Sequence, residues 1–172
     1  GGPQLSAAAP GNPRIENRSI TVGCRVKPGA EPDGVLVAQG GQMYGYSVFV
    51  QHGRLCFTVR DRAKPTTIRA EQPVPRSAFR VEAVLDQGGQ MVLRLDGRQV
   101  ASGKAGGLIS TQPGLGFCIG QDMRSAVGPY ALPFAYAGGV SEVIVNGVAM
   151  ATEFYTPKQD MGGWLSKLET SE

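Results

Sequence analysis

The sequence predicts an all-β fold, a two-sheet antiparallel β-sandwich, and three observations carry that prediction. Short apolar runs recur along the chain, most of them alternating with polar residues, the period of a half-buried strand. Turn residues punctuate them: 25 Gly and 12 Pro are spread between the runs rather than massed in one stretch, which suits many tight turns. No segment sustains a long helical period. Roughly ten short strands of this kind are a sandwich pattern.

The totals agree. A chain of 172 residues is one domain by length, large enough to bury roughly 70% of the surface its unfolded form exposes. With 41% hydrophobic and 18% charged residues, and no long apolar run, it has the composition of a soluble globular protein with no membrane partner. A net charge of +3 permits anionic partners. Nucleic acid would call for a denser Lys/Arg patch with interleaved aromatics, so none is expected.

Residues 1–17, beginning GGPQLSAAAPGNPR, are small, polar and Pro-broken: a linker or leftover segment, with no apolar signal-peptide core. Asn17-Arg18-Ser19 fits an N-glycosylation acceptor, a short match that matters only in a secretory eukaryotic host. The sandwich is expected over residues 18–150. Its first strand runs from about Ser19 to Val26, with Ile20, Val22, Cys24 and Val26 alternating. Pro28-Gly29 and Pro32-Asp33-Gly34 turn the chain, and Val35-Leu36-Val37 opens a second strand.

The stretch GYSVFVQHGRLCFTVR, Gly45 to Arg60, organises the rest. With His52-Gly53 as a two-residue loop, Gly supplies the positive φ that such a turn needs. Val50 then pairs with Leu55, Val48 with Phe57 and Tyr46 with Val59, all on one face. Ser47, Gln51, Arg54 and Thr58 fall on the other, with Phe49 and Cys56 as apolar exceptions.

Thr66 to Ala70 is an edge-strand candidate, flanked by Pro65, Pro73 and Pro75. Phe79, Val81, Ala83 and Leu85 alternate with Arg80, Glu82 and Asp86. Gln87-Gly88-Gly89-Gln90 turns that strand into Met91–Leu95, and Asp96-Gly97 is a strong hairpin signal pairing Leu93 with Val100 and Arg94 with Gln99. Leu115–Ile119 and Val140–Val145 supply two more strands, with a long Pro-rich, aromatic loop at 128–136 between them. Residues 151–172 form a tail with a short helix near Trp164, Leu165 and Leu168, against which its Gly pair counts.

Little here points to catalysis. The single His52 belongs in a turn that tolerates φ > 0, which leaves no histidine metal cluster and no independent triad base. Ser47 lacks the glycine spacing of a nucleophile elbow. Gly114, Gly116 and Gly120 are wrongly spaced for a dinucleotide loop. Glu82 and Asp86 would be attached ~13 Å apart along one strand, too far for a retaining glycosidase pair. Cys24, Cys56 and Cys118 form no C-x-x-C pair, so zinc is not expected. They read as small buried hydrophobes, with one disulfide plus a free thiol as the alternative.

The run FRVEAVLDQGGQMVLRLDGRQVASG resembles the central meander of concanavalin A-like and laminin G-like sandwiches. DGVLVAQGGQMYGYSVFVQHGRLCFTV, followed later by IGQDMRSAV and PYALPFAYAGGVSEVIVN, resembles more narrowly the C-terminal accessory domain of bacterial arylsulfatases. The resemblance covers about Ser19 to Asn146. It implies a concanavalin A-like jelly roll and a catalytic sulfatase domain in the same parent chain. It also implies an extracellular or periplasmic location. The sulfatase motif C/S-x-P-S-R is missing, since Arg-Val-Lys-Pro follows Cys24, so this chain would be the part without the chemistry.

Two binding readings follow. Arg54, Arg60, Arg69, Arg80 and Arg94 fall at polar strand positions. If the sheet order joins their strands, they form a surface for sulfated or other anionic carbohydrate; the plainer reading is a solvated sheet face. Tyr130, with Phe134 and Tyr136, would stack on sugar rings or else cap the sandwich. Asp122, after Ile119-Gly120-Gln121, stands near where the resemblance places a Ca²⁺ in laminin G-like domains. A calcium site needs six to eight oxygens, and the alternative is a structural loop. No other cofactor is expected.

The function expected is therefore a non-catalytic accessory domain of an arylsulfatase-like enzyme, structural or substrate-engaging. The alternative is an independent lectin-like carbohydrate-binding module, and the third reading a glycoside hydrolase.

Overall fold

The computed structural model describes residues 12–150. The expected tail helix, and most of the expected linker, lie outside those residues. Among the described residues eleven strands run in order: β1 Ile20–Lys27, β2 Gly34–Gly40, β3 Gly45–Gln51, β4 Arg54–Asp61, β5 Lys64–Arg69, β6 Phe79–Leu85, β7 Gln90–Leu95, β8 Arg98–Lys104, β9 Phe117–Ile119, β10 Gly139–Val145 and β11 Val148–Ala149. They form two antiparallel sheets, β11-β10-β1-β6-β7-β8 and β5-β4-β3-β2-β9. The fold class read from the sequence is the one observed.

The β3–β4 hairpin has the expected register, Val50 on Leu55, Val48 on Phe57 and Tyr46 on Val59. Its turn residues His52 and Gly53 take φ of 55° and 75°, the left-handed pair that matches strand twist. The Asp33 carboxylate accepts both of their backbone N–H groups, at 2.8 and 2.9 Å. That contact ties the turn to the approach of β2, and it explains Asp33 better than the sequence alone could.

Alternating side chains of both sheets meet in one core: Ile20, Val22, Cys24 and Val26 of β1, Phe79, Val81, Ala83 and Leu85 of β6, and Tyr46, Val48, Val50, Leu55, Phe57 and Val59 of the hairpin. Residues 12–17, assigned above to a linker, instead pack on this domain. Ile15 is fully buried, and the Pro13 carbonyl accepts from the side chains of Gln39 and Gln112.

Three bulges depart from simple alternation. Leu93 faces Ala101 rather than Val100, because the β7–β8 register slips between Leu93 and Arg94. In β2 a slip between Val35 and Val37 turns Leu36 and Val37 both into the core. In β10 a slip opposite Cys24 leaves Ser141 and Glu142 both exposed, with Val143 buried. A bulge of this kind re-aims side chains, and the third one matters below.

The hairpin also shows that this sheet is buried on both sides. Ser47, Phe49, Cys56 and Thr58, on the face away from the core, are all inaccessible. Phe57→Ala should therefore cost about 3–5 kcal/mol through lost transfer energy and a cavity. Thr58→Ala removes a hydroxyl bonded to Thr67 at 2.7 Å and should cost about 1–2 kcal/mol. Equal losses for the two variants in urea melts would contradict the packing.

Candidate functional site

The sandwich has two outer faces, and they are unlike. Behind the five-stranded sheet lies a second apolar layer, Val35, Ala38, Phe49 and Cys56, packed under Tyr130 and Phe134. Tyr130 stacks on Phe134 with centroids 4.9 Å apart and meets Phe49 edge-on at 5.1 Å. Backbone bonds from Val35 to Phe134, Asp122 to Pro133 and Tyr136 to Gly120 sew this loop down.

Asp122 is the polar centre of the cover. It is 1% exposed; its Oδ1 accepts from the N–H of Met123, and its Oδ2 accepts from the N–H of Val127 at 3.0 Å and the Tyr130 hydroxyl at 2.6 Å. The Ser47 hydroxyl lies 2.7 Å from the Tyr130 oxygen and donates to it, since Tyr130 gives its single proton to the carboxylate. Burial raises the Asp122 carboxyl above its ordinary value, although these three donors favour its charged form. Burial, with the adjacent carboxylate, pushes the Tyr130 hydroxyl up.

This arrangement corrects two expectations. Tyr130 is a cap held by its own hydroxyl, not an open stacking platform. Both Asp122 oxygens are taken by N–H and O–H donors, and no group of three or more His, Cys, Asp or Glu side chains gathers among the described residues. The oxygen-rich shell that Ca²⁺ needs is not assembled around it.

The arginines divide as well. Arg54 and Arg60 are on β4 of one sheet, Arg80 and Arg94 on β6 and β7 of the other. The condition for a single arginine patch is thus not met, because the chain crosses between sheets from β5 to β6. Arg60 donates from Nε to the Val127 carbonyl and so helps hold the cover. Arg69 lies across the same face, donating to the Cys56 sulfur at 3.3 Å and the Gln51 side-chain oxygen Oε1 at 3.2 Å. Arg54 stays exposed beside the hairpin turn.

The outer face of the six-stranded sheet is open. Its middle holds a depression of about 250 Å³ whose lining includes Gly23, Arg80, Glu82, Arg94, Glu142 and Ile144. Register explains the grouping: Gly23 of β1 pairs with Glu82 of β6 and Ile144 of β10, and Glu82 pairs with Arg94 of β7. Arg94 is bonded to Glu82 at 2.7 Å. Arg80 is bonded to Glu142, which the β10 bulge delivers. Next to the depression Arg25 stands directly across from Arg80, exposed, and sequence reasoning missed it. The signal was present: Arg25 sits between inward Cys24 and Val26, so parity alone turns it outward.

Gly23 forms the floor, and the backbone does not require it. Its φ lies outside the left-handed region, and an added Cβ would meet nothing closer than the Val81 carbonyl oxygen at 3.7 Å, an ordinary contact. A mid-strand glycine that is neither strained nor crowded weakens its strand, and such positions mark a bulge, as β10 has beside this one, or close approach by a ligand.

The thiols offer no competing chemistry. All three are free; burial pushes Cys24 up to about 12 and Cys118 up to about 11, far from the thiolate form a nucleophile needs.

No family model matches the sequence, and no curated relative does. The fold, however, is similar to that of known sandwiches. Domains LG4-5 of the mouse laminin alpha1 chain superpose with a TM-score of 0.63 at 13% identity, over 77% of this chain and 36% of that one. The LG1-3 region of the laminin alpha2 chain gives 0.63 at 15% identity, over 81% and 30%. The CBM40 of the Ruminococcus gnavus IT-sialidase, in a structure bound to alpha2,3 sialyllactose, gives 0.58 at 16%, over 88% and 83%. The chain thus spans about a third of the laminin fragments it resembles. The laminin G-like sandwich is the fold expected; nothing among these structures links the chain to an arylsulfatase accessory domain.

Asp122 gives a testable sign. A carboxyl whose folded value is raised holds its proton more tightly folded than unfolded. Its contribution to stability is present below the ordinary value of 3.8 and is lost as pH rises through the folded value. Urea unfolding of the wild type and Asp122→Asn from acid to neutral pH should show the wild type losing ground to the variant across that rise. A constant difference would overturn this.

Proposed function

We propose that this chain is a non-catalytic carbohydrate-binding β-sandwich module, and that the depression over Gly23 is its binding site. The observation that carries the reading is Gly23 itself, an unforced glycine at the centre of an open sheet face, ringed by hydrogen-bonding side chains and the exposed Ile144. Planar and charged donors around a shallow floor suit the many hydroxyls of a sugar, with one apolar wall for its carbon face. The fold likeness supports it, since the CBM40 structure holds a sialylated sugar.

The narrower role, an accessory domain serving a sulfatase, rests on sequence resemblance alone. The lectin-like reading has the better support. Such a module holds whatever domain it is attached to against a glycan surface, and its ligand would be met outside the cytoplasm.

A glycan array probed with the chain should return a restricted set of sugars. Gly23→Val puts a strand-favouring side chain on the floor, where its Cβ meets only an ordinary contact, so it should melt no lower than wild type yet lose that set. Retained binding by a folded Gly23→Val would place the site elsewhere. Incubated with the sugars it retains, and with aryl sulfates, the chain should leave both intact. Turnover abolished by Glu82→Gln would make it a hydrolase instead.

A further inference from the structure

Among the described residues the open face carries two β1 cations outside the ion pairs, Arg25 and Lys27, and Arg25 is the one beside the depression. Arg80 is matched by Glu142 and Arg94 by Glu82, while one oxygen of the Asp96 carboxylate accepts the backbone N–H of Arg80. Arg25 is in none of these ion pairs, and its cross-strand partner is Arg80. Two like charges directly opposite on a sheet repel and destabilise it. Glu142 answers Arg80, which leaves Arg25 as the charge that a further negative group would relieve. The β10 bulge, by turning both Ser141 and Glu142 outward, supplies one carboxylate to the pair and no second.

Resting on the carbohydrate-binding reading above, we propose that the sugar bound here bears one oxyanion, a carboxylate or a sulfate ester. That group seats between Arg25 and Arg80, and the ring lies over Gly23 against Ile144. Guanidinium groups present paired donors that match such an oxyanion in two-pronged fashion. Ile144, 43% exposed, gives the apolar wall. Beside the depression Arg25 is the uncompensated cation, with Lys27 exposed two residues along the same strand face, and an anionic group at Arg25 answers the nearer of the two. A densely sulfated chain would bring further anions toward Glu82 and Glu142, which repel them. The preferred ligand is a sparsely charged acidic sugar, not a polysulfate.

The test is a titration of the full chain with three probes: a glucuronate-terminated disaccharide, a disaccharide bearing one sulfate ester, and the neutral glucose-terminated parent. One acidic probe should bind at least about tenfold more tightly than the parent, the step expected of one charge-assisted hydrogen-bond set. Which of the two does so identifies the oxyanion. Arg25→Gln and Arg80→Gln should each remove the preference, with Arg25→Lys restoring it only in part. Glu142→Gln should strengthen it, by releasing Arg80 from its ion pair. All three positions are exposed, so matched melting curves control for folding.

The outcomes separate the two claims. If acidic and neutral probes bind alike and Gly23→Val abolishes both, the site stands and the oxyanion is refuted. If an acidic preference survives both glutamine variants, or if no acidic probe is bound, the oxyanion seat is refuted as well. If a folded Gly23→Val binds every probe as before, the site itself is wrong.

Discussion

One sheet of this sandwich has an apolar layer on each side, and that asymmetry governs the rest. Val35, Ala38, Phe49 and Cys56 lie on the side away from the common core, and leaving such a layer in water would forgo roughly 25 cal/mol for each Å² of it. The chain therefore folds residues 121–136 over it. The cover must bury a tyrosine hydroxyl and a carboxylate with it, and buried polar groups are tolerable only when bonded. The Ser47, Tyr130 and Asp122 set meets that demand. Arg60 and Arg69 are drawn into the same task. What remains accessible to a ligand is the other sheet.

On that other sheet the local irregularities fall together. Gly23 leaves a gap, and the bulge beside it turns Glu142 toward Arg80. A further slip in β8, just past the Arg94–Gln99 pair, sets Leu93 against Ala101. Each departure weakens the sheet slightly in isolation. Their convergence around one depression is easier to understand as the shaping of a surface than as three independent imperfections.

The sequence was legible where a local rule decides. The β3–β4 register follows from a turn that needs positive φ and a side-chain period of two, and both survive intact. The meander was found for the same reason, except at Leu93, where a bulge has no marker such as Gly or Pro. Sheet membership was not legible. Parity places Arg60 and Arg80 each on the outside of its own strand, but the crossing from β5 to β6 puts them on different sheets. Asp122 was misread for a related reason. A carboxylate after a strand suits a cation or a set of N–H donors equally well, and only the fold of the loop brings Val127 and Tyr130 to it. Gly23 could have been noticed: it interrupts a strong alternating strand with no turn nearby.

The two carboxylates of the depression invite a catalytic reading, and their environment argues against it. A glycosidase pair must differ in role, one group giving a proton to the leaving oxygen while the other acts as nucleophile or base. Such pairs are set apart by unlike surroundings, one carboxyl apolar and one polar. Glu82 and Glu142 are instead alike: each is about half exposed, and each is bonded to an arginine. Nothing shields either from water, and nothing distinguishes one as the proton donor. Paired with guanidinium groups on an open sheet, they are placed to orient the arginines and to accept hydrogen bonds from hydroxyls. That arrangement suits the binding face proposed above better than a catalytic pair.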